Sequence, residues 1–305
     1  MIRRFPFWRL ALTLLAFILS GCDRSSISSS PIFFEFKQQP GDKYIYKIFD
    51  EVEWQDYYGD SLKYTVQHVQ EQTSIMKFIR IDSNAIRHLN ISFAVVRDSM
   101  FSATELAWLK KRKSPVGLSF EYQLRMRPNG EIISVENPSD KRTFYYASSY
   151  LPSQPVFPTK AISPGYSWEQ RFNIDVPPDT STTVVARYTF RDFKRINEFD
   201  CAVIDFRGEF EFLKTYDASN DTTIKDEDVS ENYWSRNVSE GQLYFAYREG
   251  FVVKKVNLIS SSAKAKRLKA GVIQKHSRTE VRDRETITLT EIQRSGGEKM
   301  TYLID

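Results

Sequence analysis

The chain has 305 residues, with 43 basic and 39 acidic side chains, 14% aromatic residues, two cysteines and three histidines. Three of its arginines, Arg3, Arg4 and Arg9, lie ahead of residue 22, so from there on 40 basic residues face 39 acidic ones and nothing favours nucleic acid as a partner. Cys22 and Cys201 are too few for a disulfide framework, so stability must come from burial, to which the many aromatic residues are suited.

The first 22 residues are a basic head, an apolar run from Leu10 to Leu19, and then Leu19-Ser20-Gly21-Cys22. The apolar run has the length of a signal-peptide core and about half that of a membrane-spanning helix. Arginines ahead of it hold that end in the cytoplasm and send the following chain outward. This passage resembles the signal of a bacterial lipoprotein. The resemblance implies cleavage between Gly21 and Cys22 and covalent lipid at Cys22. Two or more acyl chains there would give stable anchoring. Asp23 directly after the cysteine implies, by the enteric rule for such signals, the periplasmic face of the inner membrane rather than the outer membrane. Residues 22–36 read as the lipidated cysteine and a tether, opening on the polar stretch Asp23–Ser30.

The body then reads as strand after strand. Leu118, Phe120, Tyr122, Leu124 and Met126 alternate with polar residues, as do Ala202, Ile204, Phe206, Gly208, Phe210 and Phe212. Less regular alternation marks 43–54, 61–71, 74–82, 88–100, 182–194, 242–248, 251–260 and 284–293. Half-solvated strands at this density predict a mainly β protein, a large antiparallel sheet or half-barrel. Pro128-Asn129-Gly130 and Arg248-Glu249-Gly250 supply the residues that hairpin turns need. One short helix is expected over Thr104–Lys113, capped by Thr104, with basic residues in its last turn and Pro115 beyond it.

Pro40-Gly41 and Pro164-Gly165 each precede long alternating strands. The distance from Gly41 to Gly130 is 89 residues and from Gly165 to Gly250 is 85. These offsets fit either two related β halves or chance recurrence of a common turn. On the first reading 37–137 is one half, 138–164 a proline-containing connector and 165–305 the other. Lys214–Glu240 reads as an exposed polar loop. Ser260–Arg284 reads as a basic loop, or as a basic face turned toward anionic headgroups.

Motifs for chemistry are scarce. His68, His88 and His276 have no companion at metal-ligand spacing, and neither a nucleophile elbow nor a phosphate loop occurs. His68 is in phase with Tyr64 and Val66 and reads as a packed histidine. Cys201 reads as a small buried hydrophobe. Asp217, Ser219, Asp221, Thr223 and Asp228 follow a calcium-loop spacing, but Thr222 replaces the turn glycine and Asp228 the bidentate glutamate, so no metal and no cofactor beyond the covalent lipid is expected. No enzyme activity is expected either.

Leu151–Val156 (L-P-x-x-P-V) and Pro164–Trp168 (P-G-x-S-W), together with the signal and the aromatic strands, resemble a group of uncharacterised bacterial lipoproteins. In layout the chain is also similar to the LolA/LolB-like fold, an open antiparallel half-barrel around an apolar cavity. These resemblances imply a membrane-anchored, non-catalytic envelope protein that binds a partner protein or supports assembly. The alternative they leave open is a carrier of a lipid or other apolar ligand. Its cavity would be lined by Phe120, Tyr122, Leu124, Phe206, Phe210 and Phe212, whose other role is plain core packing.

Overall fold

The computed structural model describes residues 30–136, 154–176, 180–217, 229–269 and 272–303. Its strands are β1 (Lys43–Tyr58), β2 (Ser61–Ile81), β3 (Arg87–Phe101), β4 (Ser119–Met126), β5 (Ile132–Glu136), β6 (Ser167–Val176), β7 (Thr180–Ile196), β8 (Phe199–Asp217), β9 (Val229–Ala246), β10 (Phe251–Lys269), β11 (Val272–Gln293) and β12 (Lys299–Thr301), with one helix, α1 (Ala107–Lys111), between β3 and β4. All belong to a single antiparallel sheet in the order β5-β4-β3-β2-β1-β11-β10-β9-β8-β7-β6, with β12 on β11. Among the described residues the sheet does not close: its edge strands β5 and β6 do not pair. Two antiparallel meanders, β1–β5 and β6–β11, meet where β1 pairs with β11.

The period-two pattern accounts for one sheltered face. On β1 the side chains of Tyr44, Tyr46, Ile48 and Asp50 are buried while Lys47 and Glu51 are exposed. Register carries this phase across the sheet: Tyr46 lies opposite Leu289, and Leu89 opposite Leu124. The largest buried side chains, among them Tyr44, Phe78, Leu89, Tyr188, Phe190, Phe245 and Phe251, gather at one end of the strands.

That end is rolled. The β4–β5 and β9–β10 turns lie six strand spacings apart along the sheet, about 29 Å if it were flat. Yet Phe36 donates its N–H to Pro128 O at 2.7 Å and the adjacent Lys37 donates to Gly250 O at 3.2 Å. Two neighbouring residues can reach both turns only if the sheet curls them together. A second segment ties the rim to an edge. Phe157 N–H donates to Asn129 O at 2.8 Å, and Trp168 of β6 donates its indole N–H to Val156 O at 3.0 Å.

Phe34, Phe36 and Phe157, 1%, 5% and 1% exposed, fill the rolled end. Phe34 packs on Phe157 and Phe190, and Phe36 on Phe245, with ring centroids 5.2 Å apart in each case. Phe34 and Phe36, assigned from sequence to the tether, are therefore part of the core.

Other expectations are corrected. The separate strands 61–71 and 74–82 are one strand, β2. The expected loop Lys214–Glu240 is largely β8 and β9, and the expected basic loop Ser260–Arg284 is the β10–β11 hairpin. There the inward positions carry Ser261, Ala263 and Ala265, so alternation persists without large apolar residues to mark it. The helix is five residues long and starts after Leu106, which makes no side-chain cap, rather than at Thr104.

The Pro-Gly echo has matching geometry. Gly41 donates to Phe78 O and Phe78 to Asp42 O, while Gly165 donates to Phe190 O and Phe190 to Tyr166 O. Both glycines have φ near +90°. Residues 138–153 of the expected connector lie outside the described residues, as do 218–228 and with them most of the calcium-like spacing.

Candidate functional site: the sheltered face

Beyond the aromatic end, the sheltered face changes character. Asp50 on β1 stands opposite Glu285 on β11, which stands opposite Asn257 on β10, and Asp283 follows Glu285 in the same phase. Lys255 Nζ lies 2.8 Å from Glu285 Oε1, the cationic partner of this carboxylate group. Gln72 donates to Asp50 at 3.3 Å, and Ser239 donates to Asn257 Oδ1 at 2.8 Å. Asp50 Oδ1, Asp283 Oδ1 and Asn257 Nδ2 have no hydrogen-bond partner.

Three carboxylates with one lysine in a sheltered place favour the neutral acid. Burial raises Asp50 to about 8, with Glu285 and Asp283 adding to the push and Lys255 and Gln72 opposing it. Burial, then Glu285, raises Asp283 to about 7. Both therefore change charge near neutral pH.

A second polar group lies on the same face, toward the far end of β2 and β3. Asp98, with a side chain 1% exposed, accepts from both terminal nitrogens of Arg112, the residue after α1. His68 Nε2 lies 2.7 Å from Asp98 Oδ1, and Gln70 donates to the same oxygen at 3.2 Å. The Arg112 hydrogen bonds hold the Asp98 carboxyl well below the usual carboxylate range, with His68 and Gln70 assisting. His68 is thus one member of an ionic network. Trp108 of α1 stacks on Trp54 of β1 at 6.3 Å, so the helix is pinned over this part of the face.

The other inward positions of β8–β10 mix small or polar residues, Gly208, Ser235, Asn237, Ser239, Gly241 and Ser261, with the apolar Phe210 and Ile259. Gly241 is fixed by space, since a Cβ there would fall 1.9 Å from Val256 O.

The residues expected to line an apolar cavity divide. Leu124 and Phe206 are in the packed core. Tyr122 is half-buried and stacks with Phe93, and Phe120, which also stacks on Phe93, is exposed. Phe210 is half-buried on β8, and the Phe212 side chain lies outside the described residues. Gly21 and Cys22 also lie outside them. Cys201 is buried, and burial, helped by Glu249 and Asp200, pushes its thiol up to about 12. His88 lies 3.4 Å from Asp82 on the outer face. Among the described residues no group of three or more His, Cys, Asp or Glu could hold a metal ion, and no helix is long and apolar enough to cross a membrane.

Sequence reading passed over the carboxylate group. The signal that locates it is phase: Asp50 continues the series Tyr44, Tyr46, Ile48, and Glu285 and Asp283 continue Leu289 and Ile287.

No family model and no curated protein matches the chain. Among solved structures it is similar to lipovitellin, in a structure concerned with lipid–protein interactions, at 11% identity and a TM-score of 0.41 over 88% of this chain and 27% of that one. The chain thus spans about a quarter of the lipovitellin chain it matches. It is also similar to the COG4313 outer membrane channel from Pseudomonas putida F1, at 5% identity and a TM-score of 0.21 over 86% of this chain and 100% of that one. A third likeness is to OmpF of Salmonella typhi in complex with daunomycin, at 9% identity and a TM-score of 0.21 over 83% and 100%. At these scores the likeness carries no inference about what this chain binds.

Proposed function

We propose that the protein is a lipid-anchored, non-catalytic binding protein of the bacterial cell envelope, which holds a polar partner, most simply a segment of another envelope protein, on the sheltered face of its rolled sheet. The observation that carries this reading is the division of that face. Its apolar end is filled by the protein's own Phe34, Phe36 and Phe157, and the part beyond carries carboxylates, amides, hydroxyls and glycines interspersed with apolar residues such as Val66, Phe210 and Ile259. Acyl chains entering this face would leave Asp50 Oδ1, Asp283 Oδ1 and Asn257 Nδ2 without hydrogen-bond partners, whereas a polar segment supplies them. The anchor follows from the signal-like residues 1–22, and Asp23 favours the periplasmic face of the inner membrane. A second reading, the carrier of an apolar ligand, draws on the partly open stack of Phe93, Phe120 and Tyr122.

Native mass spectrometry of protein gently extracted from its membrane separates the two. The binding reading expects a stoichiometric protein partner and no non-covalent lipid. A stoichiometric non-covalent lipid with no protein partner would overturn it in favour of the carrier. The anchor is tested independently: radiolabelled palmitate must enter the chain, and Cys22→Ala must abolish its incorporation.

A further inference from the structure

The strands β3 and β4 and the connection between them form a lobe, 96–120, whose surface is unlike the rest of the molecule. Fifteen large apolar side chains stand exposed among the described residues, and six of them are Val96, Phe101, Trp108, Val116, Leu118 and Phe120. Phe101 and Leu118 are 62% and 61% exposed. The same 25 residues carry five basic side chains, Arg97, Lys110, Lys111, Arg112 and Lys113, against two acidic ones, Asp98 and Glu105, a net charge of +3. The chain from residue 22 onward sums to +1, so the remainder is acidic on balance.

The lobe is also held in place. Arg112 is tied to the buried Asp98, Trp108 stacks on Trp54, and Val95 exchanges backbone hydrogen bonds with Gly117 and Leu118. An exposed apolar patch of this size is an aggregation hazard unless something covers it. A second copy of the lobe is a poor cover, because +3 would meet +3.

We propose that this lobe docks on a membrane surface rich in anionic lipid headgroups. Tryptophan and phenylalanine settle at the headgroup level, and flanking lysines are drawn to negative lipid. Lys111 and Lys113 are exposed beside the apolar residues, the arrangement such a contact requires. The contact is distinct from the N-terminal attachment and does not rest on lipid at Cys22.

The test holds the full chain in zwitterionic nanodiscs by whatever hydrophobic attachment its N-terminus provides. Vesicles containing phosphatidylglycerol with brominated acyl chains are then added, and tryptophan emission is followed. Quenching should saturate, and the part due to Trp108, isolated by comparison with Trp108→Phe, should dominate it. The triple variant Lys110→Glu, Lys111→Glu, Lys113→Glu should need on the order of a hundredfold more vesicle, at about fivefold per basic residue. Raising salt to roughly 0.5 M should release the unaltered chain, which keeps the test decisive if the triple variant folds poorly. Equal quenching by zwitterionic vesicles, equal quenching of Trp108→Phe, or no quenching would overturn the proposal. The last outcome together with capture of an acidic protein would assign the lobe to a protein partner. Failure of palmitate to label Cys22 would leave this result untouched.

Discussion

Asp50→Asn should leave the protein nearly unchanged below pH 4 and stabilise it progressively as pH rises from about 4 to 8. The side chain is buried opposite Glu285, and its carboxyl is raised from 3.8 to about 8, chiefly by burial. In the unfolded chain the group ionises near 3.8, so between pH 4 and pH 8 the folded state holds the extra proton. Stability from this group is therefore complete below pH 4 and is lost progressively as pH rises from 4 to 8. Four decades of proton affinity at ~1.4 kcal/mol each set a ceiling of about 5–6 kcal/mol. Asp283 and Glu285 share the same field, so the single substitution should recover on the order of 2–3 kcal/mol at pH 8.5. For a body of this size that is a melting temperature higher by roughly 5 °C. Thermal melts followed by circular dichroism between pH 5 and pH 9 measure it directly. If Asp50→Asn and the parent keep the same pH slope, or the variant is the less stable at pH 8.5, the carboxyl is not held neutral and the account of the polar face fails.

Phe34→Ala removes a ring wedged among Phe157, Phe190 and Phe245 and should cost about 3–5 kcal/mol in a denaturant titration, an effect that a loose tether residue would not produce. Gly250→Ala should destabilise by more than ~2 kcal/mol, because Gly250 has φ +79° and a Cβ there would lie 2.5 Å from Lys37 N; amide exchange should show the strap around Phe36 and Lys37 losing protection. Arg112→Ala leaves Asp98 buried without its main cation. Stability should fall by about 3 kcal/mol at pH 7 and recover as the solution is acidified, since the Asp98 carboxyl then takes up a proton more readily.

Much of the fold is legible in the chain because alternation is a local signal. Residues 118–126 and 202–212 declare their strands through large apolar side chains at every second position, and Asn129-Gly130 and Glu249-Gly250 mark their turns with glycines of positive φ. The β10–β11 hairpin is harder to read because serine and alanine take the inward positions while lysine and arginine crowd the outward ones, so the same period carries no hydrophobic contrast. The roll of the sheet has no local signal. It depends on Phe36 and Lys37 meeting Pro128 and Gly250, contacts between residues far apart in the chain. The polar face escapes for a related reason: a carboxylate in apolar phase, such as Asp50, is visible in one strand, but its grouping with Asp283 and Glu285 exists only once β1 and β11 pair.

Strand length raises the question of why the sheet continues beyond its core. A strand of 22 residues, the length of β11, spans about 75 Å, yet its fully buried side chains, Leu289 and Ile292, sit near one end. Toward the other end the stabilising contacts are cross-strand pairs: Thr279 donates to Asp56 at 2.5 Å, Arg278 lies over the Tyr57 ring at 4.1 Å, and Lys264 lies over Trp234 at 5.2 Å. Such pairs are worth a few tenths of a kcal/mol to about 1 kcal/mol each, little against the entropy of ordering the residues that make them. A chain selected for stability alone gains little from this overhang. What the overhang supplies is reach and surface: a polar face lying beyond the plugged end, and a basic, apolar lobe carried at the far end of β3. Both are placed by the same two meanders, and the division of labour between core and overhang is what the binding reading requires.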